Sequence, residues 1–145
     1  MSKSRFKLIP EVHLVLRREN RFLMLRRQGT GYMDGYHSLV AGHVDGAETF
    51  RTAMIREAKE EAGISIDARH LRLVHTMHRR SDDERLSLFF EASSWSGILQ
   101  NMEPHKCDDL NWYTMAEKDS ELVPYVRSAL LHVYRNSNYS EFGWP

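Results

Sequence analysis

Apolar positions along the chain fall into short runs separated by polar and glycine-rich stretches, and their spacing shifts between the alternation of strands and the three-and-four spacing of helices. Residues 8–27, LIPEVHLVLRRENRFLMLRR, hold two apolar runs around Glu19-Asn20, the pattern of a β-hairpin with a polar turn. Five of the eight glycines then fall between Gly29 and Gly46, bracketing a short apolar run at Ser38 to Ala41, which predicts loop, strand, loop. A helix is expected from about Thr49 to Ala62, with Thr49 capping its first amides and Gly63 ending it in a left-handed turn. HLRLVHTMHRR and ERLSLFFEASSW read as two antiparallel strands joined at Ser81-Asp82-Asp83, and a shorter strand is expected at Leu110 to Thr114. Leu122, Val126, Ala129, Leu130 and Val133 recur at helical spacing, and the tail NSNYSEFGWP reads as irregular. These elements make residues 1–145 a single α+β domain, a curved mixed β-sheet sandwiched between helices in an α/β/α arrangement.

Composition narrows the partners. The chain carries 20 Lys and Arg against 20 Asp and Glu, so no net basic field draws nucleic acid or an anionic membrane, and a small substrate is expected. The lone Cys107 excludes an intrachain disulfide and a thiolate cluster. MSKSRFKLIP has no apolar run of signal-peptide length and no segment approaches a membrane span, which leads to the expectation of a cytoplasmic protein.

The segment Gly42 to Ile64, GHVDGAETFRTAMIREAKEEAGI, carries the chemistry. On a helical wheel Phe50, Ala53, Met54, Ala58 and Ala62 form the apolar stripe, with Glu57 and Glu61 inside it and Glu60 at its edge. Clustered, partly desolvated carboxylates repel one another unless a cation or an arginine offsets them. Oxygen-only ligands select a hard ion, Mg2+ or Mn2+, and leave positions for water and phosphate. Taken alone the helix leaves a second reading open, a surface run in which Arg56 and Lys59 pair with the acids.

The wider spacing resembles the box of the Nudix hydrolase family without a mismatch: Gly42, five residues, Glu48, seven residues, Arg56-Glu57, Ala58, one residue, Glu60-Glu61, one residue, Gly63 and Ile64. Two departures stand beside it. Val40-Ala41-Gly42 replaces the Pro-Gly-Gly of many members, and Ala47-Glu48 replaces Gly-Glu, so an altered loop with retained carboxylates is expected.

The resemblance implies hydrolysis of a nucleoside diphosphate linked to another group. Glu57, Glu60 and Glu61 would hold one or more Mg2+ ions, the Gly42 carbonyl often joins that shell in the family, Glu48 lies close, and Arg56 orients the glutamates. The general base varies among members; Glu60, Glu103 and His105 are the candidates here, and Glu103 lies in EPHKCDDLNWY, a segment similar to one whose acid reaches the metal. The markers of the ADP-ribose and dinucleoside polyphosphate subfamilies are absent, with Arg79, Arg80, Ser81 and Asp82 in their place, and coenzyme A, NADH and isoprenoid signatures are missing too. Elimination leaves a MutT-type nucleoside triphosphate pyrophosphohydrolase, against three alternatives: a hydrolase of ADP-ribose or a nucleotide sugar, an enzyme acting on RNA 5′ ends, and a non-catalytic nucleotide sensor. Nucleic acid and membrane are not expected partners; a homodimer follows from family habit only.

Of the arginine pairs 17-18, 26-27 and 79-80, strand alternation lets one member of each face a site, and Arg26 and Arg27 are the preferred phosphate ligands with Arg79 a further one. Tyr32 is available for base stacking. His75 and His78, three apart on a strand, would face opposite ways and share no metal.

Overall fold

The computed structural model describes residues 4–145. In chain order the elements are β1 (Ile9–Val15), β2 (Arg17–Arg18), β3 (Arg21–Arg27), β4 (His37–Ser38), β5 (Ala41–His43), α1 (Phe50–Ala62), β6 (Leu71–Arg80), β7 (Glu84–Ala92), β8 (Cys107–Thr114), α2 (Pro124–Tyr134) and β9 (Tyr139–Phe142), with 3-10 turns at Ala68–His70 and Ala116–Glu121. The strands form two sheets rather than one. A mixed sheet runs β5-β1-β7-β6-β9, and a second sheet centres on β3, which pairs with β2, β4 and β8.

β1 explains the division. Val12 through Leu16 are all buried, so both faces of the strand need cover, and it sits between β5 (antiparallel) and β7 (parallel) with a helix over each face. The expected hairpin is therefore only partly present. Its turn at Glu19-Asn20 joins β2 to β3, with Arg17 opposite Phe22, while β1 leaves for the other sheet. The β6–β7 hairpin matches its expectation, with Arg80 opposite Glu84 across the turn. The tail corrects another: Tyr139–Phe142 forms β9, parallel to β6, with Ser140 buried against His75 at 2.7 Å.

Two apolar clusters lie on the two faces of the mixed sheet. Val12, Leu14, Leu88 and Phe90 pack with Ala53, Met54, Ala58 and Ala62 of α1. Val15, Met77 and Phe89 pack with Val126, Ala129, Leu130 and Val133 of α2. Phe50, placed in the α1 stripe by the wheel, is 40 % exposed, because the helix meets the sheet through its alanines and Met54. No described helix is long and apolar enough to cross a membrane.

Candidate active site

α1 is fixed at both ends by its own sequence. The Thr49 hydroxyl accepts from the Thr52 amide, and Gly63, at φ 70°, turns left-handed and donates to the Lys59 carbonyl. Small residues on its buried side let the helix approach β5 closely, and Gly42 completes that approach. A Cβ on Gly42 would stand 2.2 Å from Cδ of Glu57, so the missing side chain is the space the carboxylate occupies.

Arg56 ties the acids together. Its Nη2 lies 2.9 Å from Glu48 Oε2, its Nη1 2.8 Å from Glu57 Oε1 and 3.6 Å from Glu60 Oε2, and Nη2 also donates to the His43 carbonyl at 3.2 Å. The hydrogen bond to Glu48 is the main cause that raises the Arg56 pKa, and the same contact lowers that of Glu48. Glu61 differs, because no arginine among the described residues pairs with it. Burial pushes its pKa well up, the adjacent Glu57 carboxylate adds to this, Glu103 contributes a third push, and only the Ala41 backbone N–H opposes them. Among the described residues its buried Oε2 has no hydrogen-bond partner.

The loop after β7 brings in Glu103. The Met102 amide donates to the Glu61 carbonyl and the Gln100 amide to that of Ala62, so the loop satisfies the last carbonyls of α1 and runs alongside its carboxylates. Asn101 Oδ1 accepts from the Glu103 amide at 3.0 Å.

Glu57, Glu60, Glu61 and Glu103 share one cavity of about 1040 Å³ with Gly42, and Arg27, Tyr32 and Arg79 line it as well. Arg26 does not. It points to the outer side of β3 and pairs with Asp108 at 2.7 Å, as strand alternation requires once Arg27 faces inward. Arg27 donates to the Tyr32 carbonyl and the Thr30 hydroxyl and lies under the Tyr32 ring, so it props the glycine-rich loop as well as lining the cavity. Of the base candidates, His105 lies outside the cavity lining. Cys107 is buried.

The residues present suit a hard divalent ion. A buried carboxylate oxygen without a partner, beside two further acids, is a site that a cation would relieve. Among the described residues no three acidic, histidine or cysteine side chains already converge on one point, so water and substrate oxygens would complete the shell.

One group of cavity residues was not foreseen: Glu11, His13, Arg85 and Tyr125. The signal available was Glu11 and His13 alternating with Val12 and Leu14, a polar face on a strand otherwise buried.

A NUDIX domain model matches residues 7–133. The chain belongs to the NUDIX domain family. It is 32 % identical over 107 residues to the NAD-capped RNA hydrolase NudC of Escherichia coli O157:H7, a match covering 74 % of this chain and 39 % of that protein. The chain thus spans well under half the length of the curated relatives it matches. Among solved structures, the MutT NUDIX hydrolase of Burkholderia pseudomallei superposes with a TM-score of 0.78 at 22 % identity, covering 87 % of this chain and 98 % of that one. The MutT protein of Methanosarcina mazei Go1 gives 0.74 at 20 % identity, covering 91 % and 97 %. These likenesses establish the Nudix fold, the α/β/α layering expected from the sequence. Nudix hydrolases cleave pyrophosphate linkages and generally use divalent metal ions.

Proposed function

We propose that this Nudix protein hydrolyses a pyrophosphate linkage in a small nucleotide, as a MutT-type enzyme that converts a nucleoside triphosphate to the monophosphate and pyrophosphate. The observation that carries the reading is Glu61, buried and unpartnered beside Glu57 in a cavity large enough for a nucleotide. Glu57, Glu60 and Glu61 would hold Mg2+, or Mn2+ in its place, whereas the Gly42 backbone, paired with Val12, turns toward β1. The bound ion would supply charge neutralisation at the pyrophosphate and a more acidic water. Arg56 keeps Glu57 aimed while Glu48 holds Arg56. Glu103 lies outside the Arg56 hub and is the group we place as acceptor of the water proton; Glu60, tied to Arg56 at 3.6 Å, is the second candidate. Tyr32 and Arg27 border the nucleoside. The cytoplasmic location remains part of this proposal.

The likeness to NudC proteins at 32 % identity favours a second reading, cleavage of a dinucleotide pyrophosphate that is free or at an RNA end. A screen of nucleoside triphosphates, NADH, ADP-ribose, nucleotide sugars and NAD-capped RNA, with Mg2+ and with EDTA, decides between them. Triphosphates are expected as the best substrates, with no turnover in EDTA. Turnover confined to NAD-capped RNA or NADH would replace the first reading by the second, and metal-independent turnover would sink both.

A further inference from the structure

The cavity has a second wall of opposite charge. Glu11 on β1 stands opposite Ser87 on β7, and Arg85 on β7 stands opposite Arg79 on β6, so neighbouring strands bring these side chains to the sheet face that α2 covers. Gly42, with Glu57 against it, pairs with Val12 and belongs to the α1 face. The acidic and the basic wall therefore come from opposite faces of one sheet and meet around the edge strand β5.

Glu11 bridges the two arginines. Its Oε1 accepts from Arg79 Nη2 at 2.7 Å and from the Ser87 hydroxyl at 3.1 Å, and its Oε2 accepts from Arg85 Nη1 at 3.0 Å. Arg79, only 6 % exposed, lies flat with Cζ 3.7 Å from the centre of the Tyr125 ring, and the Tyr125 hydroxyl is held by His13 at 2.8 Å. The plane of the guanidinium is thus set from two directions. Its Nη1 has no protein partner among the described residues. Arg85 Nη2 meets only Asp82 and Asp83, at 3.7 and 3.8 Å, and these are 82 % and 56 % exposed, where water screens the pairing.

Two arginines share one part-buried carboxylate, and the aspartates that reach Arg85 are exposed, which leaves positive charge on this wall for an anion to meet. The pyrophosphate that is cut belongs with the metal at the acidic wall. We propose that Glu11 is a positioning residue that locks Arg79 and Arg85 into a clamp for a second phosphate of the substrate, so that the cavity selects nucleotides carrying a phosphate beyond the linkage that is cleaved. The inference rests on the pyrophosphatase reading above. Two sources of that phosphate share the chemistry: the end of a triphosphate chain, and a ribose 2′-phosphate on a dinucleotide.

Paired substrates test it. GTP against GDP probes the chain end, and NADPH against NADH probes the 2′-phosphate. The wild type should prefer the phosphate-rich member of at least one pair, and Glu11→Gln should erase that preference through a rise in KM of about tenfold to a hundredfold, with kcat and the poorer substrate little changed. Glu11→Asp should restore part of it. Because part-buried Glu11 also holds Arg79 and Ser87, Arg85→Gln, which leaves the Glu11–Arg79 pair intact, serves as the second variant and should raise KM in the same selective way. Calorimetric binding of inorganic tripolyphosphate in EDTA separates this inference from the catalytic reading: Glu11→Gln and Arg85→Gln weaken it about tenfold, whereas Glu57→Gln leaves it unchanged. No preference in the wild type, equal losses on both members of each pair, or tripolyphosphate binding indifferent to Arg85 would overturn the proposal.

Discussion

α1 and α2 cover opposite faces of the same sheet, yet they are made of different material. α2 buries Tyr125, Val126, Ala129, Leu130 and Val133, begins with Pro124 at a position where its missing amide costs nothing, and has no side-chain cap. α1 buries only Ala53, Met54, Ala58 and Ala62, uses a threonine cap and a glycine stop, and turns Glu57 and Glu61 toward the sheet. A helix held mainly by packing can do without caps. A helix that gives part of its inner face to carboxylates leans on its ends and on Arg56.

The contrast can be broken most sharply by exchanging what each helix loses. Glu57→Gln or Glu61→Gln is expected to lower kcat/KM by about 1,000-fold or more, within the range for groups that organise a metal-assisted proton transfer. The melting temperature of metal-free Glu61→Gln should not fall, because a buried carboxylate crowded by two others has been neutralised. Leu130→Ala should do the reverse, losing about 2–5 kcal/mol in denaturant unfolding while the folded fraction keeps its kcat.

The second prediction concerns the α2 face. Burial is the main cause that pushes the pKa of His13 down to about 4. The folded chain thus takes up this proton later than the unfolded chain, so the stability contributed by neutral His13 is complete above about pH 6.5 and is lost as pH falls toward 4, on the order of 3 kcal/mol. His37 and His75, lowered chiefly by burial, act in the same direction. Urea unfolding between pH 7 and 4.5 should show this slope, and His13→Gln should flatten it; an unchanged slope would place the proton uptake elsewhere.

A smaller effect is expected at Gly42. Gly42→Ala sets a methyl where Glu57 now lies, and a loss of about 10-fold to 100-fold in kcat/KM with little change in melting temperature should follow, as for a displaced metal ligand. The smallest change concerns the lead into α1. Ala47 holds φ 54°, a left-handed conformation that favours glycine, at a box position where many family members have glycine. Ala47→Gly should stabilise the fold by about 0.5–1 kcal/mol in thermal unfolding.

How much of this was legible follows from sequence distance. The carboxylates of α1 stand within five residues of one another, so helical spacing alone placed them together, and both caps of that helix lie next to it in the chain. The arginine wall joins residues up to 76 positions apart, through a strand register that no local pattern specifies. Likewise the Glu19-Asn20 turn could be read, but not that β1 would seek partners in another sheet. β9 has one buried residue, Ser140, among exposed neighbours, too weak an alternation to announce a strand.

The edge strand β5 carries a last consequence. Val40 and Val44 direct their backbone groups toward β1, which leaves those of Ala41 and His43 facing outward, where an open sheet edge invites another chain to pair. Arg56 takes the His43 carbonyl at 3.2 Å. One residue of the Nudix motif therefore stands in for part of a missing neighbouring strand. Removing that side chain would uncover the edge, so an Arg56 variant is expected to lose solubility along with turnover.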